Sequence, residues 1–297
     1  MRPILVSSEP RRDANATGHD GFSLVELLVA SMLSLLIMGA VASLLGDFGR
    51  TVSDGRAVME LSSRLRNTGW RLRQDLAGLT CVPEPLVRPE ANVGYFEVVE
   101  GSPPPGGAAL VQDVDDVLAL TTSSPSTPFT GRLQGAMGFE SPTAEVIWYC
   151  EPSGELYKTA PLHNLYRRQL LVSATPEAGA FLGNVFAAKG NSDLSYGTYC
   201  NSLGDLSKTA TRVSLTRTAG KLAGTREEDL LLRNVIAFDV QIVLAGATVP
   251  VHQVFQMSDT GDPAAAPIRG IDIRVRSIDP TSGTIREFKI VHSFSSL

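Results

Sequence analysis

Charge, aromatic side chains and cysteine are all scarce in this chain of 297 residues. Charged residues make up 19%, below the roughly 25% of an average globular protein, and aromatics only 6%. The surface must therefore lean on Ser, Thr and Gly, as secreted proteins do. No run of basic residues occurs, and Lys+Arg 26 against Asp+Glu 31 leaves a net charge of −5. The counterion release that drives nucleic-acid binding is missing, so no DNA or RNA partner is expected. Catalytic patterns are missing too: the four histidines, His19, His163, His252 and His292, are scattered, and no HExxH, GxSxG, Walker A or GxGxxG occurs. Without a nucleophile-base pair or a metal set, the chain reads as no enzyme. A hydrophobic share of 43% excludes disorder and collagen.

A mean hydropathy near zero hides one strong asymmetry. Almost all the excess lies in FSLVELLVASMLSLLIMGAVASLL, from Phe22 to Leu45, whose only charge is Glu26. As a helix, about 24 residues would span roughly 36 Å, enough to cross a hydrocarbon core of about 30 Å with some tilt. This predicts a membrane anchor. A secretory signal peptide has an apolar region of about 7 to 15 residues. Ala40-Val41-Ala42 offers a cleavage site that would start the mature chain at Ser43, but the run is too long and some twenty polar residues precede it. A plain single-pass anchor fits the length. It does not explain Glu26, since an ionised group costs up to about 2.5 to 3.5 kcal/mol at mid-bilayer.

Gly21 followed by the run from Phe22 resembles the prepilin motif of type IV pilins and type II secretion pseudopilins. The resemblance implies that a leader, residues 1–21, is removed after Gly21 by a prepilin peptidase in the membrane. Phe22 then becomes the N-methylated first residue, and Glu26 falls at the fifth mature position. In that family a Glu there is thought to neutralise the N-terminal amine of a neighbouring subunit. Membrane physics agrees, because a buried carboxylate is tolerated when a cation satisfies it. The leader departs from the usual net positive charge: Arg2, Arg11 and Arg12 are offset by Glu9, Asp13 and Asp20. The resemblance further implies a single pass through a bacterial inner membrane, a head in the periplasm or on a filament, and as partners other pilin or pseudopilin subunits and an inner-membrane assembly platform. The competing reading is a periplasmic binding protein on an uncleaved anchor.

The expected fold is α+β and pilin-like, a long N-terminal helix against an antiparallel β-sheet head. Residues 22–45 would form its transmembrane half, 46–80 an amphipathic half and 81–297 the β-rich head. In the second half, Val58, Leu61, Leu65, Leu72, Leu76 and Leu79 follow spacings of three, four and seven and form one stripe. Gly46, Gly49 and Gly55 lie before it, each costing about 1 kcal/mol against Ala, and predict flexibility there. Candidate strands are 94–99, 117–122, 145–150, 165–172, 211–216, 235–244, 270–277 and 284–293, several alternating apolar with polar residues. The last two, joined by DPTSG, read as a hairpin. EVIWYC followed by LYRRQLL resembles strands of larger minor pilins of the PilW type and of type II secretion pseudopilin J.

Cys81, Cys150 and Cys200 would lie in an oxidising compartment, which predicts one disulfide and one remaining thiol. Three pairings are open, with Cys150 to Cys200 preferred because it would tie a polar insertion to a strand end. Their spacing suits neither zinc nor a redox pair. No cofactor is implied. The resemblance brings in calcium, which some pseudopilins bind: the acidic clusters Asp113/Asp115/Asp116 and Asp259/Asp262 could attract it, against the blander reading of a solvated turn before a strand.

Overall fold

The computed structural model describes residues 22–81, 93–101, 110–124, 126–132, 138–172, 202–207, 212, 215, 217–218, 221–222, 229–244, 247–248, 255–256 and 268–294. The chain divides into two compact units, Met1–Ser53 and Asp54–Leu297.

One helix, α1 (Leu24–Ala77), begins in the first unit and ends in the second. Its start is capped by Ser23, whose Oγ accepts the N–H of Glu26 at 3.2 Å. The helix is continuous through Gly46, Gly49 and Gly55, where the sequence pointed to flexibility. Its end is set by Gly78. A Cβ there would lie 2.3 Å from the carbonyl oxygen of Ser123, so only glycine permits this approach. Across that contact the Ser123 N–H donates to the Gly78 carbonyl at 2.7 Å.

In the second unit the strands follow as β1 (Phe96–Val99), β2 (Val117–Ser123), β3 (Phe129–Arg132), β4 (Gly138–Ser141), β5 (Thr143–Tyr157) and β6 (Ala160–Val172). A short helix α2 (Leu203–Leu206) and the two-residue strands β7 (Arg217–Thr218) and β8 (Lys221–Leu222) come next. The chain then forms β9 (Asp229–Leu244), β10 (Ala247–Thr248), β11 (Phe255–Gln256), β12 (Ile268–Ile278) and β13 (Ile285–Ser293). Nine of these strands make one sheet in the order β11-β1-β2-β5-β6-β9-β12-β13, with β10 on β9, and every pairing is antiparallel. The chain is therefore α+β, a long N-terminal helix with a large antiparallel sheet.

Strand alternation gives the sheet two faces. One carries Phe96, Leu118, Trp148, Phe238, Ile273 and their neighbours, packed with Leu65, Leu72 and Leu76 of α1 in the main core. Leu61 and Leu79 of the expected stripe join it from its rim. Gly69 faces Phe288 of β13, with room for a Cβ at 3.5 Å from that ring. The opposite face of β1, β2, β5 and β6 buries Tyr95, Ala119, Ile147 and Leu170 beside Leu206 of α2. On β12 and β13 that face is solvated and bears ion pairs, including Lys289 to Asp272 at 2.6 Å.

The expected hairpin is β12–β13, with Ile273 opposite Ile290 and Val275 opposite Phe288. EVIWYC and LYRRQLL pair as β5 and β6, Trp148 opposite Arg167. Both strands run longer than expected. A register shift between Pro152 and Leu156, with Gly154 at φ +81, carries β5 past residues that normally end a strand. Most of the expected strand at 211–216 lies outside the described residues, and Arg212 and Leu215 within it are not in a strand.

Candidate functional site

The first functional feature is the start of α1. From Phe22 to Leu45 every side chain is exposed, Leu24 at 82% and Leu36 at 71%. This helix is long and apolar enough to cross a membrane, and no part of its apolar window is buried. Glu26 sits in the first turn, three residues after the Ser23 cap. Ser-x-x-Glu is the spacing of a capping box, and a carboxylate in the first turn also complements the helix dipole. The observed bond uses only the Glu26 backbone N–H, so the carboxylate's local contribution is to the dipole, and the Ser23 cap is a signal in the sequence that hydropathy alone does not pick out. Gly21 lies outside the described residues.

A second feature joins α1 to the sheet within the head. The carboxylate of Asp75 accepts two N–H groups from Arg167, Nε to Oδ2 at 2.8 Å and Nη2 to Oδ1 at 2.9 Å. Trp148 Nε1 donates to Oδ2 as well, at 2.9 Å. Arg167 Nη1 reaches Gln169 Oε1 at 2.9 Å. Asp75 is 3% and Arg167 1% exposed, so this is a buried, bidentate and fully bonded pair. A cleft lined by Trp70, Arg71, Gln74, Phe129 and Gln169 opens beside it. Its donors come from strands far along the chain, and its arrangement fixes the helix on the sheet rather than presenting a reactive group.

The third feature is a group of carboxylates. β1 and β2 pair with Val99 opposite Val117, so the next residues out, Glu100 and Asp116, are neighbours. Asp113 is brought in by the segment that precedes β2, which lies along β9. Gln112 N–H donates to the Ile236 carbonyl at 2.8 Å, and Phe238 N–H to the Asp113 carbonyl at 2.7 Å. Val240 N–H donates to Asp116 Oδ2 at 2.7 Å, and Gly101 N–H to Asp116 Oδ1 at 3.0 Å. Ligand-capable oxygens of Glu100, Asp113 and Asp116 all lie within 4.8 Å of one another, the one such group of three among the described residues.

Burial pushes all three carboxyls up, and their mutual repulsion adds to it. Asp113 rises to about 8 by burial and then by Asp116 and Asp115. Glu100 rises to about 7 by burial and then by Asp113. Asp116 also rises to about 7 by burial, against the two backbone N–H groups that favour its anion. Of the acidic residues singled out in the sequence, Asp113 and Asp116 are thus brought together with Asp115 close by, while Asp259 and Asp262 lie outside the described residues. Glu100 was not legible, because only the β1–β2 register places it there.

Cys81 and Cys150 are buried, unbridged thiols. Burial raises Cys81 to about 11 and raises Cys150 further, so neither is a ready nucleophile. Cys200, the other half of the preferred bridge, lies outside the described residues. Compared with known proteins, the chain matches no family model, no curated protein and no solved structure.

Proposed function

We propose that this chain is a subunit of a type IV pilin-like filament, cleaved after Gly21, N-methylated on Phe22 and assembled into a type IV pilus or type II secretion pseudopilus. Its work is assembly rather than catalysis. After membrane insertion and cleavage by a prepilin peptidase, the apolar helix from Phe22 packs beside the same segment of other subunits at an inner-membrane platform. Glu26 pairs with the new amine of a neighbour as the subunit leaves the bilayer. The observation that carries this reading is a helix with exposed apolar side chains from Phe22 to Leu45 and a single acid in its first turn, running unbroken to residues that pack on an antiparallel sheet. A fully exposed apolar surface of that length needs lipid or like helices as its solvent.

The second reading, a binding protein on an uncleaved anchor, is favoured by the place of Glu26 in the first turn of α1, where a carboxylate complements the helix dipole and needs no neighbour. The mature N-terminus separates the two. Mass spectrometry of the protein from its own cells is expected to find N-methyl-Phe22; an intact Met1 supports the plain anchor, and a start at Ser43 a signal peptide. Gly21→Val should leave the leader on, a product about 2 kDa heavier. Glu26→Gln keeps the helix start and removes the charge, so it should abolish incorporation while the head stays folded. Normal incorporation of that variant would rule out the pairing role.

A further inference from the structure

We propose that the cleft beside the Asp75–Arg167 pair binds an acidic sugar, a pyranose bearing one carboxylate, with Arg71 as the cation that receives it. The site lies wholly within the head and does not depend on the filament reading.

Charge selects the sign of the ligand. Asp75, the one acid in the lining, is already satisfied by Arg167 and Trp148. Arg71 has no such partner: it is half-buried, and its guanidinium makes no hydrogen bond and no ion pair among the described residues. Burial works against its charge first and the Arg167 cation second, and together they outweigh the pull of Asp75 and Asp229. A cation so placed gains from an anion, and a carboxylate matches its planar fork. Gln169 adds a donor. Its Oε1 is taken by Arg167 Nη1 at 2.9 Å, so the amide NH2 is what it has left to offer.

The rest of the lining selects a sugar. The cleft holds about 690 Å³, inside the range of about 300 to 1,000 Å³ usual for small-molecule sites. Of the two tryptophans in the chain, Trp148 is buried and bonded, whereas Trp70 lines the cleft and is 56% exposed. A bare indole offers a rigid apolar face on which the apolar face of a pyranose can lie. The segment after β2 and the start of β3 supply Ser124, Ser126, Thr127 and Thr130, whose hydroxyls make no hydrogen bond among the described residues. The backbone beside them is spent: Ser123 N–H donates to the Gly78 carbonyl at 2.7 Å and Ser124 N–H to the Pro142 carbonyl at 2.8 Å. An extended peptide docks through free backbone groups, whereas a sugar docks through hydroxyls, and side-chain hydroxyls and amides are what this wall offers.

The test uses the full chain in a polyoxyethylene detergent, which has no sugar headgroup, with cellobiuronate and cellobiose as probes. These two disaccharides differ only in a carboxylate in place of a hydroxymethyl group. Saturation-transfer NMR and tryptophan fluorescence are expected to give cellobiuronate a Kd of about 10 µM to 1 mM, and cellobiose one weaker by about tenfold or more. Arg71→Gln relieves the repulsion by Arg167, so it should keep the urea midpoint of the wild type while losing the preference for the acid. Trp70→Ala, at an exposed position, should weaken both sugars roughly fivefold. Glucuronate alone tells the source: affinity equal to the disaccharide assigns a free sugar acid, a weaker one the end of a glycan, and both uphold the site. No saturable binding of cellobiuronate by the folded wild type overturns the proposal. So does equal affinity for cellobiose, or an undiminished preference in Arg71→Gln, or wild-type affinity in Trp70→Ala. Tighter binding of the tetrapeptide Ala-Gly-Ala-Gly overturns it as well, because the occupant is then a peptide carboxylate.

Discussion

Asp75 and Asp113 are both buried aspartates of the head, 3% and 7% exposed, and they solve burial in opposite ways. Asp75 receives three N–H groups, two of them from a guanidinium. Asp113 lies among other acids, keeps one oxygen without a donor, and is pushed up to about 8. The first arrangement is complete within the chain and does structural work. The second needs a proton or a cation from outside. Burial of a charged side chain therefore does not by itself mark a functional site; the inventory of its partners does.

The largest effect should follow from emptying the complete site. Asp75→Ala leaves the Arg167 charge without its counter-ion and its Nε and Nη2, with the Trp148 N–H, without their acceptor, which should cost about 3 to 5 kcal/mol. Urea unfolding of the head, followed by tryptophan fluorescence, reads this directly. A loss below about 1 kcal/mol would mean that Arg167 finds water and that the pair is not sealed. Replacing both partners, as in Asp75→Leu with Arg167→Met, should recover much of the loss, because no charge is then stranded.

A smaller effect of opposite sign is expected at the incomplete site. Unfolded carboxyls titrate near 4, whereas Asp113, Glu100 and Asp116 hold their protons to about 7 or 8 in the folded head. Between those values the folded state binds more protons than the unfolded one. Stability from this group is fully present below about pH 4 and is lost as pH rises to about 8. Asp113→Asn removes one of the repelling charges while keeping the shape. In chelator at pH 8 it should therefore be more stable than the wild type, by roughly 1 to 3 kcal/mol, with a flatter pH profile. Denaturant midpoints at pH 5 and pH 8 check this, and an Asn variant that is weaker at both would show that the carboxylate is already satisfied.

Much of the fold was legible because it rests on local period. Leu65, Leu72 and Leu76 recur at helical spacing, and they are the large apolar residues among the buried positions of α1. Ile271, Ile273 and Val275 alternate with Asp272 and Arg274, and they face the core from β12. What local period cannot show is a partner remote in sequence. Asp75 reads as an ordinary polar residue between Leu72 and Leu76, since Trp148 and Arg167 lie 73 and 92 residues away. Those two residues stand in EVIWYC and LYRRQLL, the stretches that carried the weaker resemblance, yet nothing in either stretch names Asp75. The strand ends failed for a related reason. Pro152 and Gly154 look like breakers, but β6 holds β5 on both sides of the irregularity, so pairing overrides them. For Glu26 the residue and its spacing from Ser23 both stand in the sequence, but hydropathy picks out only the lone acid and not the cap before it.

The least effect belongs to a third kind of pair, bonded like Asp75 but open to water like neither aspartate. Glu60 and Arg64 form an ion pair one turn apart on α1, with side chains 63% and 49% exposed. Both ions keep most of their hydration, so their attraction is screened by water and salt, and removing one strands nothing. Arg64→Ala should therefore shift stability by only roughly 0.2 to 0.5 kcal/mol, with helix content unchanged because Ala favours the helix at least as well. The shift should vanish in about 0.5 M salt, where the Debye length falls below about 5 Å, while the Asp75→Ala loss persists. A cost at Arg64 comparable to that at Asp75, or one insensitive to salt, would show that number of bonds rather than desolvation sets the value of these charges.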